Sequence, residues 1–278
     1  MNATGGDFLA TMAASSHARV TAAIAGCPRA AMERRALASP PPPALTLSRE
    51  GFDIIAELKL RSPAAGQLRV PAAGDVGARV QAYAAAGAAA VSVLTEPDRF
   101  DGSLAHLEAA ARVLRPAGVP AMRKDFLVDP YQVMEARVAG AGGVLVILRM
   151  LDRGTIAALL DTAAALGLFV LLEAFDETDI AFAQDLLAGA RGRVLLGVNC
   201  RDLVTLQVVP GRLEALAARL PAEWPRVAES GLETAADAAR LARAGYQLAL
   251  VGSALMKEAS PGALLRDMLA AGRGEAVS

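Results

Sequence analysis

Residues Ile55–Pro63 read IAELKLRSP, and two of their charges are out of place for a buried strand. Glu57 and Lys59 stand two apart, so they share one face of any strand formed there. A carboxylate and an ammonium inside a strand are costly unless they are paired or used. The same pattern returns along the chain, where short apolar segments end in groups that can move protons or hold anions. VPAMRK ends at Lys124, LFVLLE at Glu173 and VLLGVN at Asn199 with Arg201 beyond it, while RVAES contains Glu229 and Ser230. Of 28 basic residues only Lys59, Lys124 and Lys257 are lysine. A chain that writes arginine for a generic positive charge has reason to write lysine where a compact, releasable proton is needed, since arginine stays protonated. Two of the three lysines fall in this small set of segment ends.

The elements that must carry these groups follow a rhythm. Eight apolar, β-branched segments recur: Asp53–Lys59, Ala89–Thr95, Val119–Lys124, Gly143–Leu148, Leu168–Glu173, Val194–Asn199, Arg226–Ser230 and Gln247–Val251. Between them lie Ala/Leu-rich helix candidates at Val76–Ala86, Tyr131–Ala139, Thr155–Leu166, Thr178–Leu187 and Ala235–Ala244. Gly87, Gly140, Gly167 and Gly245 each close a helix where a left-handed C-cap belongs. Near-continuous apolar strands alternating with helices imply parallel strands covered by helices. A closed (β/α)8 barrel takes about 250 residues, and the chain from Gly51 onward is of that order. An open doubly wound sheet is the alternative, but no GxGxxG follows the first strand segment. The reading is one α/β TIM barrel over 51–278. It is preceded by an extension, 1–50, with helical stretches in Asp7–Ala38, a break at Gly26-Cys27-Pro28 and a proline spacer at Pro40–Pro43.

Composition excludes several other classes. The apolar fraction is 54 %, much of it alanine, and no apolar run reaches the roughly 18 residues of a membrane span. A net charge of −1 gives no electrostatic case for nucleic acid or an anionic membrane. Residues 1–20 lack a basic start and apolar core, and two cysteines, Cys27 and Cys200, make no disulfide framework, so a reducing cytoplasm is expected. His17 and His106 have no partners at ligand spacing, so no metal site is expected.

In a (β/α)8 barrel the reactive groups gather at the C-terminal strand ends. Those ends here bring Glu57, Lys59, Lys124, Glu173, Asn199, Arg201, Glu229, Ser230, Gly231, Gly252 and Ser253 to one mouth. Ser230-Gly231 and Gly252-Ser253, after the last two strands, match the place where such barrels bind phosphate on backbone N–H groups. Arg201 adds a planar fork for a carboxylate or phosphate. A solvated strand terminus would explain one such charge, but not the same accident in unit after unit.

Several segments in order, Glu57-Leu-Lys59-Leu-Arg-Ser62-Pro63, Thr95-Glu-Pro-Asp-Arg-Phe100-Asp-Gly-Ser, Arg123-Lys124-Asp-Phe126, Gly197-Val-Asn199-Cys-Arg201-Asp-Leu, Glu229-Ser230-Gly231 and Val251-Gly252-Ser253-Ala-Leu-Met, resemble the indole-3-glycerol-phosphate synthase family over about Phe52 to Leu269. The resemblance implies a cofactor-free enzyme of tryptophan biosynthesis. Its reaction converts 1-(2-carboxyphenylamino)-1-deoxyribulose 5-phosphate to indole glycerol phosphate with loss of CO2 and water. It implies Lys124 as the general acid of ring closure, Lys59 as a link between phosphate and reacting centre, and Glu173 as the paired acid/base. Glu57 would orient the lysines and Asn199 would hold a substrate hydroxyl or amine. Arg201 and Ser62 would meet the carboxylate, with Glu229 and Ser230 completing the set. Gly231, Gly252 and Ser253 would bind phosphate, and Phe100, Phe126, Leu145 and Ile147 would line the aromatic pocket, although core packing alone would also explain those four. A lysine with a depressed pKa is the expected proton donor. The state expected is monomer or homodimer.

The chain departs from the family in two places. Ala64-Ala65-Gly66 follows Ser62-Pro63 where the family usually has another serine and a lysine, and the first fifty residues, where the family carries a helical cover over the mouth, match poorly. A phosphoribosylanthranilate-isomerase-like reaction would want a Cys/Asp pair where this chain has Glu57, Lys59 and Glu173. The remaining alternatives are a phosphosugar-binding barrel without turnover and the same reaction in a specialised indole pathway.

Overall fold

The structure is a computed structural model whose described residues are 5–49, 51–62, 66–67, 75–188 and 192–275. In chain order the elements begin with α1 (Gly5–Gly26), α2 (Arg29–Ala38), β1 (Asp53–Leu58), a small hairpin of β2 (Arg61–Ser62) and β3 (Gly66–Gln67), and α3 (Asp75–Ala85). Then follow β4 (Ala90–Leu94), α4 (Pro97–Phe100), α5 (Leu104–Leu114), β5 (Ala121–Lys124), α6 (Pro130–Val138), β6 (Gly143–Ile147), α7 (Arg153–Ala165), β7 (Phe169–Ala174) and α8 (Glu177–Leu187). The chain closes with β8 (Val194–Asn199), α9 (Arg212–Ala217), β9 (Arg226–Glu229), α10 (Ala235–Arg243), β10 (Leu248–Val251), α11 (Ser253–Lys257) and α12 (Pro261–Arg273).

Eight strands pair in parallel and close into a barrel in the order β1-β10-β9-β8-β7-β6-β5-β4. This is the (β/α)8 architecture, and the open sheet is excluded. Each of the eight expected strand segments is a barrel strand, with ends within about two residues. Gly87, Gly140, Gly167 and Gly245 all have positive φ, as their helix-ending role requires.

The period of two along each strand sorts the core into two layers. Ile54, Ala56, Leu58, Val144, Val146, Val170, Leu172, Leu196 and Val198 face outward into the helices. Ile55, Met122, Leu145, Ile147, Phe169, Leu171, Leu195, Val227, Leu248 and Leu250 form the barrel interior. Glu57, Lys124, Glu173, Asn199 and Glu229 continue these inward series at i+2 toward the C-terminal mouth. Gly143 stands where a Cβ would overlap the Phe169 ring, so that ring can fill the barrel floor.

The first fifty residues pack onto the barrel. The helical stretch breaks where expected, with α1 ending at Gly26 and α2 starting after Pro28. Leu9, Met12 and Leu45 join the interior core, while Val20 and Met32 pack with Val128 and Tyr131. The polar docking is concentrated on the residues after Lys124. Arg19 makes a two-armed pair with Asp125 at 2.9 and 2.8 Å, and the Ser16 hydroxyl donates to the Phe126 carbonyl. Pro40 and Pro41 are held by arginines of the barrel, with Arg137 donating to the Pro40 carbonyl and Arg115 to the Pro41 carbonyl. Among the described residues no helix is long and apolar enough to cross a membrane.

Candidate active site

A cavity of about 200 Å3 opens at the C-terminal mouth. Its lining includes Glu57, Lys59, Lys124, Glu173, Asn199, Arg201, Glu229, Ser230, Gly231, Gly252 and Ser253, together with Phe100, Phe126, Leu145 and Ile147. Every site residue read from the sequence therefore meets here except Ser62. The backbone of Ser62 lies in the hairpin after β1, but its side chain and residues 63–65 lie outside the described residues. The lining that sequence reasoning missed includes Phe8 and Leu9 of α1, Leu94, Phe175, Leu203, Leu206, Val208, Leu232, Glu233 and Leu250. Leu94 and Leu250 stand on strands, where the pattern of apolar segments could have found them. Phe8 and Leu9 depend on how α1 packs, which no local pattern reports.

The charged groups form two linked sets. Lys59 Nζ reaches Glu57 Oε1 at 2.8 Å, with Glu57 almost fully buried. Lys124 Nζ donates to Glu173 Oε2 at 3.3 Å and to Glu229 Oε2 at 3.2 Å. Asn199 Nδ2 donates to Glu173 Oε1 at 2.9 Å, and the Arg201 backbone N–H donates to Asn199 Oδ1 at 3.0 Å, so the amide is oriented from both ends. Among the described residues Glu57 is ion-paired with Lys59, and its hold on Lys124 is through space.

Burial sets the proton affinities. Burial alone would push the Glu57 carboxyl up, but Lys59 and Lys124 overcome it and hold that pKa below the usual range. Burial likewise favours a neutral Lys124 amine, yet Glu173, Glu229 and Glu57 outweigh it and hold the ammonium above the ordinary lysine range. The expectation of a depressed lysine pKa is therefore wrong for Lys124 in the open pocket. Three acidic side chains converging from other strands favour its charged form. Glu229 goes the other way, pushed up to about 8 by burial and by Glu173 despite Lys124. Its Oε1 has no hydrogen-bond partner among the described residues.

Two glycines make room for these carboxylates. A Cβ on Gly252 would overlap Glu57 Oε1, and one on Gly197 would overlap Glu229 Oε1. We expect Gly252→Ala to cost about 1–3 kcal/mol in denaturant unfolding, the scale of overpacking, and to lower turnover by displacing Glu57. Unchanged stability and activity would show that the fit is loose. Glu229 supplies a pH test. Its folded pKa lies above its unfolded value of about 4.5, so the native state holds the extra proton between about pH 4.5 and 8. Wild-type stability from this group is present below that window and is lost as pH rises through it. Glu229→Gln, which cannot ionise, is expected to gain stability relative to wild type between about pH 5.5 and pH 9, read from paired unfolding curves.

Behind Lys124, Asp125 is fully buried. Burial would raise its pKa, but Arg123, Arg19 and Thr95 hold it at about 2. Arg123, itself buried, donates to Thr95 Oγ1, to Asp125 and to the Gln132 carbonyl. The segment that presents Lys124 is thus pinned from the strand, from α6 and from α1. The aromatic wall is ordered by ring contacts, with Phe126 between Phe8 at 5.9 Å, edge-on, and Phe100 at 6.2 Å.

Fold and pocket define a class: a (β/α)8 barrel with a buried lysine–carboxylate cluster at its C-terminal mouth. Solved barrels share the fold at low identity, such as 3-hexulose-6-phosphate synthase from Salmonella typhimurium (TM-score 0.61, 14 % identity, 81 % of this chain and 100 % of that one). The family model described as indole-3-glycerol phosphate synthase matches residues 11–268. Proteins named indole-3-glycerol phosphate synthase are similar over most of the chain. The Mycobacterium leprae (strain Br4923) protein is 39 % identical over 266 residues, covering 96 % of this chain and 90 % of its own. The Parafrankia protein is 44 % identical over 219 residues, covering 79 % and 78 %. The chain belongs to the indole-3-glycerol phosphate synthase family.

Proposed function

We propose that this chain is a lyase of tryptophan biosynthesis that closes 1-(2-carboxyphenylamino)-1-deoxyribulose 5-phosphate to indole-3-glycerol phosphate, releasing CO2 and water. The observation that carries the reading is the Lys124 ammonium held between Glu173 and Glu229 beside an aromatic-lined wall. As the ring carbon bearing the carboxylate attacks the ketone, charge grows on the ketone oxygen and Lys124 gives it a proton. Loss of CO2 restores the aromatic ring. The hydroxyl so formed then departs as water, with Lys59 as its acid and Glu173 taking the final ring proton. Proton transfer by positioned groups of this kind is worth about 10²–10⁴ in rate. Asn199 holds the sugar hydroxyl or linking amine and Glu57 orients Lys59. Arg201 and Ser62 are assigned to the ring carboxylate, and Ser230 completes the set. Gly231, Gly252 and Ser253 offer backbone N–H groups to phosphate. Phe100, Phe126, Leu145 and Ile147 hold the ring.

In this reading 51–278 is the catalytic barrel and 1–50 is its cover, supported by Phe8 and Leu9 in the pocket lining. The protein works in the cytoplasm on a small phosphosugar substrate as monomer or homodimer, without metal or other cofactor. The test is incubation of purified protein with the substrate while indole fluorescence is followed. Fluorescence growing over many turnovers supports the reading; binding without product would make this a phosphosugar-binding barrel.

A further inference from the structure

Lys124 stands at a thinly supported corner of the barrel. The β5–β6 ladder pairs Met122 with Gly143 and Arg123 with Val144, and ends there. On the opposite side Leu94 is still in register with Lys124, and the Thr95 N–H donates to the Lys124 carbonyl at 3.0 Å. Strand pairing therefore holds this residue from β4 but not from β6. Further support comes through the next residue, Asp125, whose side chain is fully buried. Its Oδ2 accepts from Thr95 Oγ1 at 2.7 Å and from Arg123 Nη2 at 3.1 Å, and its Oδ1 accepts from the Phe126 N–H at 2.8 Å. Those partners lie on β5, just after it or at the end of β4. Arg19 comes from elsewhere, reaching from α1 to grip both carboxylate oxygens at 2.9 and 2.8 Å. Neutralising Asp125 does not require it, because the buried Arg123 guanidinium already lies against the same carboxylate. Placing it there has a cost, because Arg19 Nε is buried with no hydrogen-bond partner among the described residues. What a second arginine adds is geometry, since a two-armed guanidinium–carboxylate pair fixes orientation as well as distance.

We propose that Arg19 is a positioning residue for the proton-transfer step: its grip on Asp125 sets the place of the Lys124 ammonium between Glu173 and Glu229. This rests on the function proposed above, and it makes α1 a support of the proton donor as well as a wall of the pocket. The ammonium lies 3.3 and 3.2 Å from its two acceptors, at the outer edge of hydrogen-bond reach. A shift of a few tenths of an ångström at the backbone is therefore enough to break one contact. Lys124 does not touch Arg19; the link runs from the guanidinium to the Asp125 carboxylate and along one peptide unit.

The experiment compares wild type, Arg19→Ala, Arg19→Lys and Val20→Ala. Val20 packs α1 against Val128 and Tyr131, so its truncation loosens the helix without touching Asp125. In Arg19→Ala kcat falls about tenfold, less than the roughly 10²-fold of a 1 Å misplacement, while KM changes less than about twofold. Added methylguanidinium, below denaturing concentration, restores at least about threefold of that kcat and leaves Val20→Ala unchanged. Arg19→Lys keeps the charge without the fork and recovers only part of the loss; it carries the same test if Arg19→Ala does not fold. A risen KM with unchanged kcat would make Arg19 a mere fastener of α1, and an equal kcat loss in Val20→Ala without rescue would do the same; either overturns the proposal. A second readout needs no turnover. The chain has three lysines, Lys59, Lys124 and Lys257, so 13C-labelled lysine gives three side-chain NMR signals, assigned with Lys124→Arg. The Lys124 signal moves in Arg19→Ala and stays in Val20→Ala; an unmoved signal overturns the proposal. If wild type fails to turn over the substrate, the proposed activity falls, and the NMR comparison still decides whether Arg19 places Lys124.

Discussion

Lys124→Ala is expected to lower kcat by at least about 10²-fold, with kcat/KM falling in parallel, because the lost interaction belongs to the transition state. Among the described residues of the pocket, Lys124 alone is ion-paired with two carboxylates, Glu173 and Glu229. Its removal leaves those two acids facing each other, and breaking a buried ion pair can cost about 3–5 kcal/mol. Glu229 relieves part of that cost by keeping its proton, since it is already pushed up to about 8. The variant should therefore fold normally near about pH 6 and lose stability as pH rises. Activity measured at that pH separates lost chemistry from lost structure. A variant that is folded there and retains more than a tenth of wild-type kcat would remove Lys124 from the role of acid.

Glu173→Gln should be the second large loss, again of about 10²-fold or more in kcat. The carboxylate accepts from Lys124 on one oxygen and from Asn199 on the other. A glutamine keeps the shape but has one acceptor for two donors, so its NH2 must face either the ammonium or the amide. The pH profile gives an independent reading. Glu173 is the largest of the charges that hold the Lys124 ammonium up, so its neutralisation lets the lysine deprotonate at lower pH. A basic limb from Lys124, above the ordinary lysine range in wild type, should then be brought to lower pH in Glu173→Gln. A basic limb that stays in place would show that Lys124 is not the group titrating there.

Much of this is legible from local pattern. Near-continuous apolar segments such as LFVLLE and VLLGVN mark the strands, and their polar ends place Glu173 and Asn199 at the mouth, whereas which apolar residues face the barrel interior is seen only in the fold. The helix-ending glycines are legible because a left-handed cap asks for that residue type. What local pattern does not carry is convergence. The Lys124 ammonium is held up by carboxylates 49 and 105 residues away, and no reading of one segment could give the sign of that shift. The clamp of Arg19 on Asp125 spans 106 residues and is hidden for the same reason. Gly252 and Gly197 look like ordinary turn or strand glycines until Glu57 and Glu229 are seen against them.

The most direct measurement follows wild-type protein acting on substrate labelled at the ring carboxylate, counting labelled CO2 and indole product together. Many turnovers are expected, with one CO2 released for each molecule of indole product formed. Indole without CO2, CO2 without indole, or bound substrate recovered unchanged would contradict it.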